Sequence, residues 1–221
     1  MLTFKEHTER LNKHRFRLLA AALVINFILP PLDEFAFAEL IKGMIVKLLI
    51  ILSGAEFFRE RSKKLLWYGV GLINIVLGLL STFTTDFNTP ILLVEYISLV
   101  VMVVVLFYKL MVEITAMKRV NIDGIIGAFS GYILLGMIAF FTYLTIGVFD
   151  DNAFANLGKG VEAVDRLFYY SFISITTIGF GDIVPLSRYS QQLTIFFGII
   201  GQFYLAVNVA ILVSKYLKGS E

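Results

Sequence analysis

Residues 176 to 182 read TTIGFGD: two threonines, then glycines alternating with apolar residues, then a carboxylate. Gly179 and Gly181 open backbone angles closed to residues that carry a Cβ, which lets successive peptide carbonyls turn the same way. A row of carbonyls suits a hard cation. Irregular backbone of this kind leaves N–H and C=O groups unpaired, and at membrane depth it survives only where it is buried in protein or lines a watery path.

The rest of the chain supplies that depth. Of its 221 residues, 58% are hydrophobic and only 16% charged, and the mean hydropathy is +0.82. Soluble domains run at roughly 45 to 50% apolar and 25% charged, so the sequence reads as an integral membrane protein. There is no cysteine, which excludes disulfides, thiolate metal sites and cysteine nucleophiles. The two histidines, His7 and His14, lie in the polar N-terminal stretch, and no HExxH, GxSxG or paired-aspartate motif occurs in the apolar segments. An enzyme is not expected, nor an organic cofactor, nor a nucleic-acid partner.

Crossing a bilayer takes about 20 mostly apolar residues. Segments 16–32, 36–57, 65–83, 90–112, 124–148 and 189–217 meet that description, predicting six spans, with the first read as a retained anchor rather than a cleaved signal. Basic residues gather on alternate sides: Arg15 and Arg17 before the first span, Arg59, Arg61, Lys63 and Lys64 after the second, Lys118 and Arg119 after the fourth, Lys215 and Lys218 at the end. The opposite connections PPLDEFAFAE and TFTTDFNTP hold none, which puts both termini in the cytoplasm of a cell membrane, plasma or inner. Between the fifth and sixth spans, the run from Val161 to Thr176 is helix-compatible but too short to cross, and TTIGFGD follows it directly. The expected fold is all-α, with six transmembrane helices, a re-entrant helix and an irregular loop.

TTIGFGD closely resembles the selectivity filter of potassium channels, usually T-V-G-Y-G-D, and the surrounding helix, short helix, loop, helix unit resembles their pore domain. The resemblance covers residues 161 to 217. It implies a homotetramer around one axis in which carbonyls replace the hydration shell of K⁺. The ion ligands would be the carbonyls of Thr177, Ile178, Gly179 and Phe180 with the Thr177 hydroxyl, and Gly181 would complete the filter. Thr176 and Asp182 would support it, with Tyr169 or Tyr170 donating to Asp182. Phe180 stands where the family commonly has tyrosine, removing a hydroxyl that ties the filter to its short helix. An ungapped count from Asp182 places Gly201 at the hinge position of related pores; close packing of Gly198 and Gly201 on the fifth helix is the alternative. The same count has Gln202, Leu205, Val209, Val213 and Leu217 lining the pore, with the last three forming a hydrophobic gate.

The implied division is an N-terminal segment with a voltage-sensor-like four-helix domain over residues 1–118 and a pore domain over 119–221. The fourth span departs from the voltage-gated pattern: it has no arginine, an acid in its outer third, Glu95, and one base, Lys109, near its inner end. Lys42 and Lys47 occupy the second span. Lys42 lies roughly 9 Å and Glu95 about 8 Å inward from their helix starts, so the expected pairing is Lys42 with Glu95, and Lys47 with Asn74 or water. The alternatives are a proton- or ligand-sensing site or a residual gating charge. RERSKK is expected to anchor topology, with anionic lipid as the alternative partner. A potassium channel without strong voltage gating is the leading expectation. A weakly selective cation channel and a carrier or scaffold with a coincidental loop are the alternatives, and a cytosolic regulatory domain or partner absent from this chain is possible.

Overall fold

A computed structural model describes the backbone of residues 4–28, 36–81, 90–117 and 121–218, and the side chains of these except for 4–13, 36–42, 161 and 216–218. In chain order the elements are α1 (Phe4–Ile28), α2 (Ala36–Ala55), α3 (Arg61–Ser81), α4 (Pro90–Ala116), α5 (Ile122–Phe149), β1 (Phe154–Ala155), α6 (Val161–Ile175), β2 (Val184–Pro185) and α7 (Arg188–Lys218). Apart from the two-residue β1 and β2, the regular structure is all-α. Among the described residues α3, α4, α5 and α7 are long and apolar enough to cross a membrane. The two further spans expected from hydropathy fall on α1 and α2, whose described apolar part is the shorter Gly43–Ala55.

Helix α5 is the hub. It packs against α1 and α4 on one side and α6 and α7 on the other, and 67% of its apolar stretch is buried, against 22% for α3 and α7. Its start is fixed locally. Asn121 sits in extended geometry and its side chain accepts from the Gly124 amide at 2.9 Å, satisfying one of the amides that a helix N-terminus leaves unpaired. Asp123 in the first turn takes Arg17 of α1 at 2.8 Å. Pro90 opens α4, where its missing amide costs nothing.

The short β1 and β2 pair antiparallel, Phe154 opposite Pro185 and Ala155 opposite Val184. They clasp the segment before α6 to the segment after the filter. The clasp is locked from α7, because the buried Ser190 hydroxyl donates to the Ala153 carbonyl at 2.7 Å and the Leu186 amide reaches the same carbonyl at 2.8 Å. Ser187 caps α7, its hydroxyl accepting from the Ser190 amide at 3.1 Å.

Lys47, expected beside Asn74 or water, holds Glu95 through Oε1, while Asn74 donates to Ser98 and to the Val70 carbonyl at 3.0 Å each. Counting depth from helix starts assumed helices that begin at one level and side chains that stay at their own Cα. A lysine stem carries its ammonium well away from that level. The side chain of Lys42 lies outside the described residues. Lys63 and Lys64 of the basic cluster pair with Glu60 and Glu56, each at 2.7 Å, and α3 starts at Arg61 rather than 65 because RSKK forms helix even though it is not apolar.

Trp67 joins α3 to α2. Its indole donates to the Ile51 carbonyl at 2.8 Å, and Gly54 makes room for its ring, which lies 3.0 Å or less from where a Cβ at that position would sit. Trp67→Phe removes this bond between the two helices and leaves space beside Gly54, at a cost of about 1 to 2 kcal/mol. A thermal midpoint in detergent lower than that of the parent by a few degrees checks this; an unchanged midpoint contradicts it.

Candidate functional site

Helix α6 ends at Ile175 and the loop turns back on it. The Thr177 amide donates to the Ser174 carbonyl at 3.1 Å, and the amides of Ile178 and Gly179 both donate to the Ile173 carbonyl, at 3.0 and 3.1 Å. The last carbonyls of a helix have no partner within it, so α6 and the loop satisfy each other. Thr176 closes the turn, its hydroxyl donating to the Phe172 carbonyl at 2.6 Å. Thus the amides from Thr176 to Gly179 are consumed, whereas among the described residues nothing donates to the carbonyls of Thr177, Ile178, Gly179 or Phe180.

Backbone angles explain how those carbonyls come to lie free. Thr177, Gly179 and Gly181 have positive φ, at 60°, 52° and 78°, while Ile178 and Phe180 between them do not. In a strand successive carbonyls point to opposite sides; alternation of left-handed and ordinary angles turns them to one side. The two glycines were the legible part of this pattern. Thr177 was not, since a β-branched residue at positive φ is an outlier and persists only where its surroundings hold it. Here the Ser174 carbonyl holds its amide and Gln202 of α7 reaches its hydroxyl at 3.4 Å.

Side chains behind the loop fix its distance from α5 and α7. Tyr132 of α5 donates to the Ile175 carbonyl at 3.1 Å. The ring of Tyr132 stacks on Tyr204 of α7, whose hydroxyl donates to the Ala128 carbonyl at 2.7 Å. Tyr143, Phe154, Tyr170 and Phe197 pack as edge-on or tilted rings 5.3 to 5.7 Å apart, a cluster joining α5, β1, α6 and α7. On the outer side, Asn156, at φ 63°, donates to the Asp182 carbonyl at 2.9 Å, and Arg166 of α6 holds the Asn156 carbonyl. Tyr132, Asn156 and Arg166 carry no motif, and sequence reading missed them.

Of the two tyrosines expected to support Asp182, Tyr169 lies within electrostatic reach of the carboxylate, and Tyr170 instead meets Thr194 of α7 at 2.9 Å. Consecutive residues on a helix point about 100° apart, so one position cannot serve both contacts. Gly201 lies in an unbroken α7. A Cβ there would stand 2.5 Å from the Ile175 carbonyl oxygen, so the close approach it permits is to the end of α6, not to α5. Gly198 has more space, its nearest neighbour being the Ser174 carbonyl at 3.8 Å.

Gln202, Leu205, Val209 and Val213 are exposed on α7, and the side chain of Leu217 lies outside the described residues. Thr177, Ile195, Gly198, Ile199, Gln202 and Phe203 line an open groove leading down from the loop. Ile178 and Phe180 are also exposed, at 56% and 71%. One chain therefore leaves its row of carbonyls and the wall beneath it uncovered. Among the described residues there is no cluster of three or more His, Cys, Asp or Glu side chains suited to a metal ion, and the oxygens available here belong to the backbone.

Residues 128–218, which hold α6, the loop and α7, match the family described as ion channel. Over 92 residues, 40% of this chain and 32% of the relative, the sequence is 35% identical to two-pore potassium channel 4 of Arabidopsis thaliana. The chain thus spans about a third of the length of that curated relative. No solved structure gives a significant match.

The Gly201 contact makes a pair of outcomes distinguishable. Gly201→Ala drives a methyl into the Ile175 carbonyl and displaces the base of the loop, so ion flux falls at least about tenfold, equivalent to about 1.4 kcal/mol. Gly198→Ala, with its van der Waals spacing, leaves flux near the parent level. Flux from reconstituted vesicles reads both, and equal effects of the two substitutions count against the contact.

Proposed function

We propose that this chain, an ion channel in its residues 128–218, is one subunit of a homotetrameric, K⁺-selective channel of the pore-loop superfamily in a cell membrane. The observation that carries the reading is the row Thr177 to Phe180, in which the first three amides turn back onto α6 and the carbonyls have no donor among the described residues. Four copies around an axis give a stack of oxygen rings that exchange for the water around a dehydrating cation. The name of the Arabidopsis relative supports K⁺ as that cation.

Within this reading Thr177, Ile178, Gly179 and Phe180 supply the ion-binding carbonyls, and Thr177 adds its hydroxyl at the inner end. Gly181 completes the alternation and Asp182 anchors the outer end to Tyr169. The exposed face of α7 lines the cavity below, with Gln202 nearest the filter. Leu205, Val209, Val213 and Leu217 continue the stripe downward, and the valines and Leu217 close the path by excluding water. The carboxyl end of α6 directs its partial negative charge toward that cavity, favouring a cation there.

Residues 1–118 form the peripheral four-helix unit and 119–221 the pore unit of a six-span subunit with both termini cytoplasmic. The fourth helix does not drive steep voltage gating. Its one base, Lys109, stands over the Phe58 ring at 5.5 Å, and its buried acid is held by Lys47.

Purified protein in vesicles is expected to pass K⁺ well above Na⁺, with block by Ba²⁺. Equal fluxes support the weakly selective channel, and no conductance supports a carrier or scaffold. Gly179→Ala places a Cβ at φ 52°, a penalty of roughly 1 to 2 kcal/mol in each subunit. K⁺ flux is then lost while the oligomer remains on size exclusion; retained flux and selectivity overturn the assignment of Gly179.

In planar bilayers the conductance–voltage relation is expected to be shallow, carrying about one elementary charge per subunit or less, where each charge moved through 100 mV contributes about 2.3 kcal/mol. A steep relation carrying several charges per subunit refutes the non-voltage-gated reading.

A further inference from the structure

Away from the filter, α1, α2, α4, α5 and α6 enclose a cavity of about 240 Å³. Lys47 and Glu95 meet at its edge, and Phe140, Phe168 and Leu99 form much of its apolar wall. The side chain of Glu95 is 5% exposed. Its Oε1 is taken by Lys47, but among the described residues Oε2 has no hydrogen-bond partner. A buried acceptor left unpaired keeps its full desolvation cost, and here the empty volume lies beside it.

The chemistry of the wall narrows what relieves that cost. Asp165 also lines the cavity and has a partner of its own, so a cation entering meets the Lys47 ammonium and an anion meets two carboxylates. An uncharged molecule with one hydroxyl donor meets neither repulsion. The apolar remainder of such a molecule replaces water against two phenyl rings and a leucine, as ligand cavities commonly arrange it. The volume admits a body of about one aromatic ring and excludes a diacyl lipid.

We propose that this cavity binds a small uncharged alcohol or phenol whose hydroxyl donates to Glu95 Oε2 while its body packs on Phe140, Phe168 and Leu99. The bound molecule touches α4 of the peripheral unit and α6 of the pore unit together, and it neither enters the filter nor depends on which ion passes there. The site therefore stands or falls separately from the K⁺ assignment.

The test uses the full chain in vesicles and a photoreactive benzyl alcohol, 4-[3-(trifluoromethyl)diazirin-3-yl]benzyl alcohol, beside its methyl ether, which has the same body and no donor. The alcohol is expected to label peptides carrying Tyr96, Phe140 and Phe168 about fivefold to tenfold more than the ether, the range that one hydrogen bond provides, and excess benzyl alcohol is expected to compete. The double substitution Lys47→Met with Glu95→Leu replaces the ion pair by apolar groups of similar size, an exchange that buried pairs commonly tolerate, and brings alcohol labelling down to the ether's level.

Gly43→Leu is the second variant. Gly43 lines the cavity and a Cβ there meets nothing within 4 Å, so a leucine fills the space without disturbing the Lys47–Glu95 pair, and labelling is again lost. Equal labelling by alcohol and ether, labelling that does not saturate, or labelling unchanged by Gly43→Leu overturns the proposal and leaves a hydrated cavity. Suppression by diacylglycerol in the vesicles also overturns it, in favour of a lipid hydroxyl. If the double variant does not fold, the donor comparison and Gly43→Leu decide the matter.

Discussion

A peptide carbonyl in hydrocarbon must find a donor or a cation, and the four consecutive carbonyls of residues 177–180 have no donor among the described residues. Every other feature of residues 122–218 can be read as a response to that constraint. The amides are withdrawn first, onto the carbonyls at the end of α6. Angles alternate next, so that the oxygens face one way. The surrounding helices then hold this unfavourable backbone in place, since positive φ at a threonine is not a conformation that it adopts unaided. In the proposed tetramer, what makes the segment costly in a lone subunit makes it useful around an axis, where a dehydrated ion supplies the missing partner.

The supporting frame is built from aromatic rings and small residues rather than from charge. Tyr132 and Tyr204 stack on one another and each donates to a carbonyl on a neighbouring element. Gly131 and Gly136 of α5 stand where Tyr204 and Phe172 pass closest, so large rings sit opposite positions without side chains. Interior packing at near-crystal density transmits displacement rather than absorbing it, which couples the placement of the loop to α5 and α7. On the opposite flank of α6, Phe27 of α1 lies against Phe168 and Phe172 at 5.3 and 4.8 Å. The first helix thus buttresses the helix that positions the loop.

Sequence reading reached the parts of this arrangement that a local rule governs. Alternating glycines signal alternating backbone angles, a helix-compatible run too short to span signals a helix that cannot cross, and hydropathy places α3, α4, α5 and α7. It did not reach the parts that depend on how helices lean on one another. Lys47 meets Glu95, Tyr170 meets Thr194, and Gly201 faces the end of α6. Helical periodicity says which residues share a face but not what that face meets. Thr177 shows a further limit, because its left-handed angle is imposed by hydrogen bonds from two other elements and runs against its own preference. Nothing local could announce it.

Helix α7 buries only 22% of its apolar stretch within the subunit, and Ile195, Ile199 and Phe203 are among its exposed residues, at 64%, 64% and 69%. In the proposed tetramer that surface is covered by neighbouring copies, which ties the folding of the subunit to its abundance. Free energy released on assembly becomes part of the stability of each protomer. Thinning the protein out in the plane of the bilayer therefore acts as a denaturant would, loosening the inner helix first, and the number of intact pores falls more steeply than the number of chains.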